Sequence, residues 1–175
     1  MSEDKPAVSA VPSTAKAGNR ARIWMLLGSL ILVGVDLAVK TVAELQLREG
    51  QTIEGGFVDL RLHFNPGVAF SFGADLPPIV ILLGTGAIIA GLAWFLLTSA
   101  RTLGRLGQVG GSVLLGGALG NFLDRLAGGG VIDYLHVSWF STFNLADVFV
   151  SVGVGLLILG ALFGTHSSTP EPRAP

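Results

Sequence analysis

Four stretches of the chain are almost continuously apolar: Ile23 to Val42, Ile79 to Thr98, Leu106 to Leu126 and Phe143 to Phe163. Each is close to the roughly 20 residues that a helix needs to cross about 30 Å of hydrocarbon. Lipid offers the backbone no hydrogen-bond partners, so helices are the conformation that satisfies these segments. Between the first two stretches the period changes. In FVDLRLHF, Val58, Leu60, Leu62 and Phe64 alternate with Phe57, Asp59, Arg61 and His63, which is the period of a strand. Asn65-Pro66-Gly67 then supplies turn chemistry, and VAFSF repeats the alternation through Val68, Phe70 and Phe72. The pattern predicts an integral membrane protein, mainly α, with a four-transmembrane-helix bundle and a small β-sheet on the outer membrane surface, within about residues 50–75. Pro77 and Pro78 open the second helix, where a missing N–H does no harm. Residues 1–20, rich in Pro, Ala and Ser, and residues 165–175 read as disordered cytoplasmic tails, leaving 21–164 as one membrane domain.

Composition sharpens this picture at one point. The chain has 50% hydrophobic residues, which is ordinary, but only 13% charged ones, about half the usual share of roughly 25%. Its mean hydropathy is +0.66. A net charge of -1 gives no field to attract nucleic acid. With no cysteine there are no disulfides, thiol nucleophiles or zinc-thiolate sites. His63, His136 and His166 are scattered without ligand spacing, so no metal and no cofactor is expected. The charges that exist set orientation. Lys5, Lys16, Arg20 and Arg22 precede the first span, and Arg101 and Arg105 separate the second from the third. The positive-inside rule makes both clusters, and hence both termini, cytoplasmic. Segments 43–78 and 127–142 then face outward. A cleaved signal peptide in place of the first span would need a small-x-small site, and none follows at the right distance.

Against this apolar background stands GNFLDRLAGGGVIDYLHVSWFSTFNLADVF, Gly120 to Phe149. Asn121, Asp124 and Arg125 share a face at the outer end of the third helix; Asn144 and Asp147 are three apart at the start of the fourth; Asp133 lies in the short connection between them. Ionisable residues at membrane depth point to function by default. Blander roles remain open for some: an interfacial ion pair for Asp124 with Arg125, a helix N-cap for Asn144. The glycines of the third span, including Gly116 and Gly120, read as close helix packing. In the first span Asp36 and Lys40, four apart, can pair. Two carboxylates converging in a poorly solvated place cannot comfortably both ionise, so Asp133 and Asp147 together would hold one proton between two acids. Such a pair can activate water with one carboxylate and protonate a leaving nitrogen with the other. The competing class is a small proton-coupled transporter using Asp124, Asp133 and Asp147 as a relay. A purely structural protein would explain the glycines and leave the acids unexplained.

GNFLDR, VIDY and FNLADVF, in this order, with NPGVAFS at Asn65 to Ser71 and Asp36 and Lys40 in the first helix, resemble the prolipoprotein signal peptidases, the signal peptidase II family of bacteria. The resemblance covers about residues 22–163. It implies a monomeric aspartic endopeptidase of the bacterial inner (cytoplasmic) membrane, its active site at the outer face. In that family, cleavage of prolipoproteins falls immediately before a diacylglyceryl-modified cysteine. Residue by residue, it makes Asp133 and Asp147 the catalytic pair, and Asn65, Asn121, Arg125 and Asn144 polar residues lining the site. Asp124 takes a supporting role, and Asp36 and Lys40 form a structural pair. The chain departs from the family in a short loop between the two aspartates and in Pro66, which removes a backbone donor after Asn65.

Overall fold

The computed structural model describes residues 14–47, 50–67, 73 and 75–163. Four helices carry the fold: α1 (Thr14–Gln46), α2 (Pro78–Ser99), α3 (Arg105–Ala127) and α4 (Leu145–Phe163). Among the described residues three short strands accompany them: β1 (Thr52–Ile53), β2 (Asp59–Asn65) and β3 (Val131–His136). All four helices are long and apolar enough to cross a membrane. Large apolar side chains such as Trp94, 74% exposed, cover their outer flanks, as a lipid-facing surface requires. α1 begins at Thr14, so the tail expected to be disordered through residue 20 is helical over its last part. Residues 165–175 and the expected VAFSF strand lie outside the described residues.

The most buried helix is α3, and glycines decide how closely its neighbours approach. Without a hydrophobic drive between helices in lipid, close backbone packing has to hold them. Gly116 and Gly120 face α1: a Cβ at Gly116 would stand 2.8 Å from the Leu32 Cβ, and one at Gly120 would stand 2.5 Å from the Asp36 carboxylate. Gly110 faces α4 instead, where a Cβ would meet the Leu157 nitrogen at 2.8 Å. Hydroxyls add to the α1–α3 contact: Ser29 donates to the Ser112 carbonyl at 3.0 Å, and Ser112 to the Met25 carbonyl at 2.7 Å.

The sheet is antiparallel in the order β1-β2-β3. Its third strand comes from VIDYLH, a segment whose residue pattern predicts only a connection between helices. Val131, Asp133 and Tyr134 are all buried, so the strand carries no alternation for a period-2 pattern to reveal. α3 ends where Gly128 turns left-handed at φ 90°, a conformation glycine adopts without steric cost. After β3, Phe143 bonds back to Leu135 in both directions, at 2.8 and 2.9 Å. That bridge closes residues 137–142 into a loop and delivers the chain to α4 beside the strand it has just left.

Gly153 and Gly34 test the packing argument. A Cβ at Gly153 would lie 2.6 Å from the Leu114 Cα, whereas nothing stands within 4 Å of one at Gly34. Gly153→Ala should destabilise the bundle by about 1–3 kcal/mol through overpacking. Gly34→Ala should stabilise it by roughly 0.5–1 kcal/mol through helix propensity. Thermal unfolding of both variants in detergent measures the contrast.

Candidate active site

Lys40 is 1% exposed and has three N–H donors to satisfy. It forms ion pairs with Asp36 at 2.8 Å and Asp124 at 2.7 Å and donates to the Asn121 side-chain oxygen at 2.9 Å. The expected Asp36–Lys40 pair therefore exists, one turn apart on α1, and it reaches α3 as well. Asp124 does not pair with its neighbour Arg125. Adjacent helix residues do not face each other, and Asp124 instead takes Lys40 and the Ile132 backbone N–H at 3.2 Å. It thereby ties the start of β3 to the end of α3.

The donor-only ammonium orients the amides around it. Asn121 must turn its oxygen to Lys40, so its amide nitrogen is left to donate to Asp147 at 2.8 Å. Asn144 donates from its own amide nitrogen to the Asn121 oxygen at 3.1 Å and to Asp133 at 2.6 Å. Asp133, on β3, also accepts from Asn65 of β2 at 3.2 Å. Asn65 pairs with Val131 across the strands, and Asp133 is two residues further along the same face, within reach of a diagonal neighbour. Asp133 and Asp147 are thus linked through two asparagines, Asn144 and Asn121, and line one cavity of about 400 Å³. Asn65, Asn121 and Arg125 line it too, with Phe140, Phe143 and Val148 as apolar wall.

Asp147 stands at the third position of α4, and Asn144 is its N-cap. The Asn144 side chain accepts the Asp147 N–H at 3.0 Å, and Asp147 accepts the Asn144 N–H at 3.1 Å, the reciprocal pattern of a capping box. The remaining free donors of this helix end are met from elsewhere. Leu145 N–H goes to the Tyr134 hydroxyl at 3.2 Å, and Ala146 N–H to Asp36 at 3.0 Å. Burial pushes the Tyr134 phenol up to about 12, so it serves there as a neutral hydroxyl. Its ring packs on Ala43 of α1 and on Leu47 just after that helix. Sequence reasoning missed Tyr134, although it stands inside the VIDY motif. The capping and site roles open to Asn144 turn out to be compatible, since oxygen and nitrogen of one amide serve each.

Arg125 spans the cavity's edge, donating to the Gly67 carbonyl at 2.7 Å and the Asn121 carbonyl at 3.1 Å. Its buried Nε has no partner among the described residues. The cluster as a whole sets four carboxylates against two cations. Asp133, 2% exposed, bears the consequence. Burial, and then the charge of Asp147, raise it from an ordinary 3.8 to about 6, against the lowering effect of its bonds from Asn65 and Asn144.

Comparison with known proteins supplies independent information. Residues 29–163 match the family described as signal peptidase (SPase) II. A lipoprotein signal peptidase of Neisseria meningitidis serogroup C is 32% identical over 167 residues, covering 91% of this chain and 99% of that one. One from Mycobacterium bovis strain BCG is 33% identical over 190 residues, covering 97% and 92%. Among solved structures, a bacterial membrane enzyme at 2.3 Å resolution superposes with a TM-score of 0.72 at 26% identity, covering 84% of this chain and 94% of that one.

The raised Asp133 has a measurable signature. A carboxyl whose folded value lies above its unfolded one stabilises the fold at low pH, and that contribution is lost as pH rises through about 6. A shift of about two units corresponds to about 3 kcal/mol. Asp133→Asn removes the titration. The stability difference, wild type minus variant, should therefore fall steadily from pH 4 to pH 7. Unfolding midpoints in detergent across that range measure it, and a constant difference would count against the shift. Tyr134→Phe should separately cost about 1–2 kcal/mol by stranding the Leu145 N–H, read from the same unfolding curves at one pH.

Proposed function

The chain belongs to the signal peptidase II family, and from that premise we propose that it is an aspartic endopeptidase removing signal peptides from bacterial prolipoproteins. We further infer that it works as a monomer in the inner membrane, with both termini cytoplasmic, and cuts immediately before a diacylglyceryl-modified cysteine. The observation that carries the reading is the linkage of Asp133 and Asp147, through Asn144 and Asn121, at the wall of one cavity.

Roles follow from the electrostatics. Asp133, buried and raised, holds the proton that the pair retains. Asp147, half-buried at the helix end, takes the general-base role. Asp147 takes a proton from a water as its oxygen attacks the scissile carbonyl carbon. Asp133 then delivers its proton to the amide nitrogen as the C–N bond breaks, which leaves the two carboxyls with their protons exchanged. Arg125 lines the cavity, where its guanidinium charge favours the carbonyl oxygen as negative charge develops on it. A lipid-modified substrate lies partly in the bilayer, and the cavity suits it. Polar groups converge at its inner wall, while Val148 and Val152 of α4, both exposed, continue its lining onto the lipid-facing flank.

A proton-relay transporter gains no specific support. Asp36, Lys40, Asp124, Asp133 and Asp147 form one local cluster, and a relay needs a chain of groups across the membrane.

The test is cleavage of a diacylglyceryl-modified lipobox peptide by the purified protein in detergent. Asp133→Asn and Asp147→Asn should each lower turnover by about a thousandfold, in the range of general acid–base catalysis. The double variant should be no worse than either single one, because the two act as a unit. Asp124→Asn should retain measurable activity. Substantial turnover in either single variant of the pair would remove that residue from catalysis.

A further inference from the structure

At the end of the bundle away from the carboxylates, α1 and α3 leave a furrow of about 520 Å³ between them. Trp24, Gly28 and Leu32 form one wall, Val109 and Val113 the other. The polar groups along it are already satisfied. The Ser112 hydroxyl donates to the Met25 carbonyl at 2.7 Å, and the Gln108 amide donates to the Ala100 and Leu103 carbonyls at 3.0 and 2.9 Å. The rest is apolar surface that no described residue covers. On α1 the furrow runs from Ala21 to Leu32, roughly 16 Å at about 1.5 Å per residue. That is about half of the roughly 30 Å of hydrocarbon, the depth of a single leaflet.

The mouth of the furrow is cationic. Arg105 lines it, and Arg20 precedes Trp24 by one helical turn on the same face of α1. Both are exposed, and neither has an ion-pair partner among the described residues. Arg101 stands exposed nearby, beside Gly18. The chain has no Asp or Glu from Thr14 to Val35 or from Pro78 to Leu123, so nothing in these helices neutralises that end. We propose that the furrow is a binding site for one acyl chain of an anionic phospholipid, with the phosphodiester headgroup held between Arg20 and Arg105. An arginine fork matches a phosphodiester in shape as well as charge. A second copy of the chain fits less well. Copies inserted in one membrane share an orientation, so pairing along this furrow brings arginine to arginine.

The site lies apart from the carboxylate cluster and does not depend on the peptidase reading. Native mass spectrometry of the full chain, titrated in micelles with dioleoyl phosphatidylglycerol or dioleoyl phosphatidylcholine, reads it directly. The anionic lipid should bind about tenfold more tightly or better. Arg20→Gln and Arg105→Gln should each weaken it about fivefold and weaken the zwitterionic lipid, whose phosphodiester is offset by a choline, by clearly less. Val109→Trp, which fills the furrow from an exposed position, should weaken both. Equal binding of the two lipids, or a preference that survives in the double arginine variant, would overturn the proposal. Inorganic phosphate competing as well as the whole lipid would reduce the site to a headgroup contact and overturn the acyl-chain part. A dimer that Val109→Trp disperses would give the furrow to a second copy. Should Val109→Trp fold poorly, the surface arginine variants still decide the matter, with unfolding midpoints as the check that they are intact.

Discussion

A buried ammonium is the constraint on which the rest of the structure depends. Removing Lys40 from water costs several kcal/mol unless charge and hydrogen bonds replace the lost solvation. Two carboxylates in ion pairs and an amide oxygen in a hydrogen bond do so. The consequence spreads because an ammonium can only donate. Asn121 is forced into one of its two amide orientations, and that choice in turn orients Asn144. Both asparagines then present nitrogen to Asp133 and Asp147. An amide reversed at either position would set acceptor against acceptor. The polarity of the site is thus dictated from a residue that does not line its cavity.

The same cluster explains how a carboxylate is held at a membrane helix end. Asp147 belongs to the first turn of α4, where unpaired N–H groups favour negative charge. Those donors are distributed among Tyr134, Asp36 and Asn144, so Asp147 keeps one oxygen for its own cap and the other for Asn121. Asp133 has no helix end to stabilise it. It rests on two amide donors in a buried strand, and burial outweighs them. Environment alone separates two chemically identical side chains, since burial and the neighbouring charge of Asp147 raise Asp133 above the ordinary carboxylate range.

Much of this was legible in the chain. The four spans appear as nearly continuous apolar runs, within two residues of α2, α3 and α4 at both ends although α1 starts nine residues before its run, and the spacing of Asp36 and Lys40 announced their contact. The packing role of Gly116 and Gly120 was readable too, although not that α1 is their partner. Three features were not. β3 is buried at Val131, Asp133 and Tyr134, and burial on both faces erases strand periodicity. Asp124 looked as though it belonged to Arg125 because the two are adjacent, yet its partner lies on α1 at Lys40, a long-range contact without a local signature. Tyr134 carried no signal of its own in the sequence. Its hydroxyl matters only because the bridge between Leu135 and Phe143 returns the chain to it.

That cap at the start of α4 has a consequence for biogenesis. Its contributors come from the first span, the strand before the fourth, and the fourth itself, as far apart in sequence as Asp36 and Ala146. Asp133 and Asp147 become neighbours only once these segments are docked. A chain whose last span has yet to insert has both aspartates and no assembled pair. A site built this way comes into being late in synthesis, because completion of the topology is itself what brings the two aspartates together.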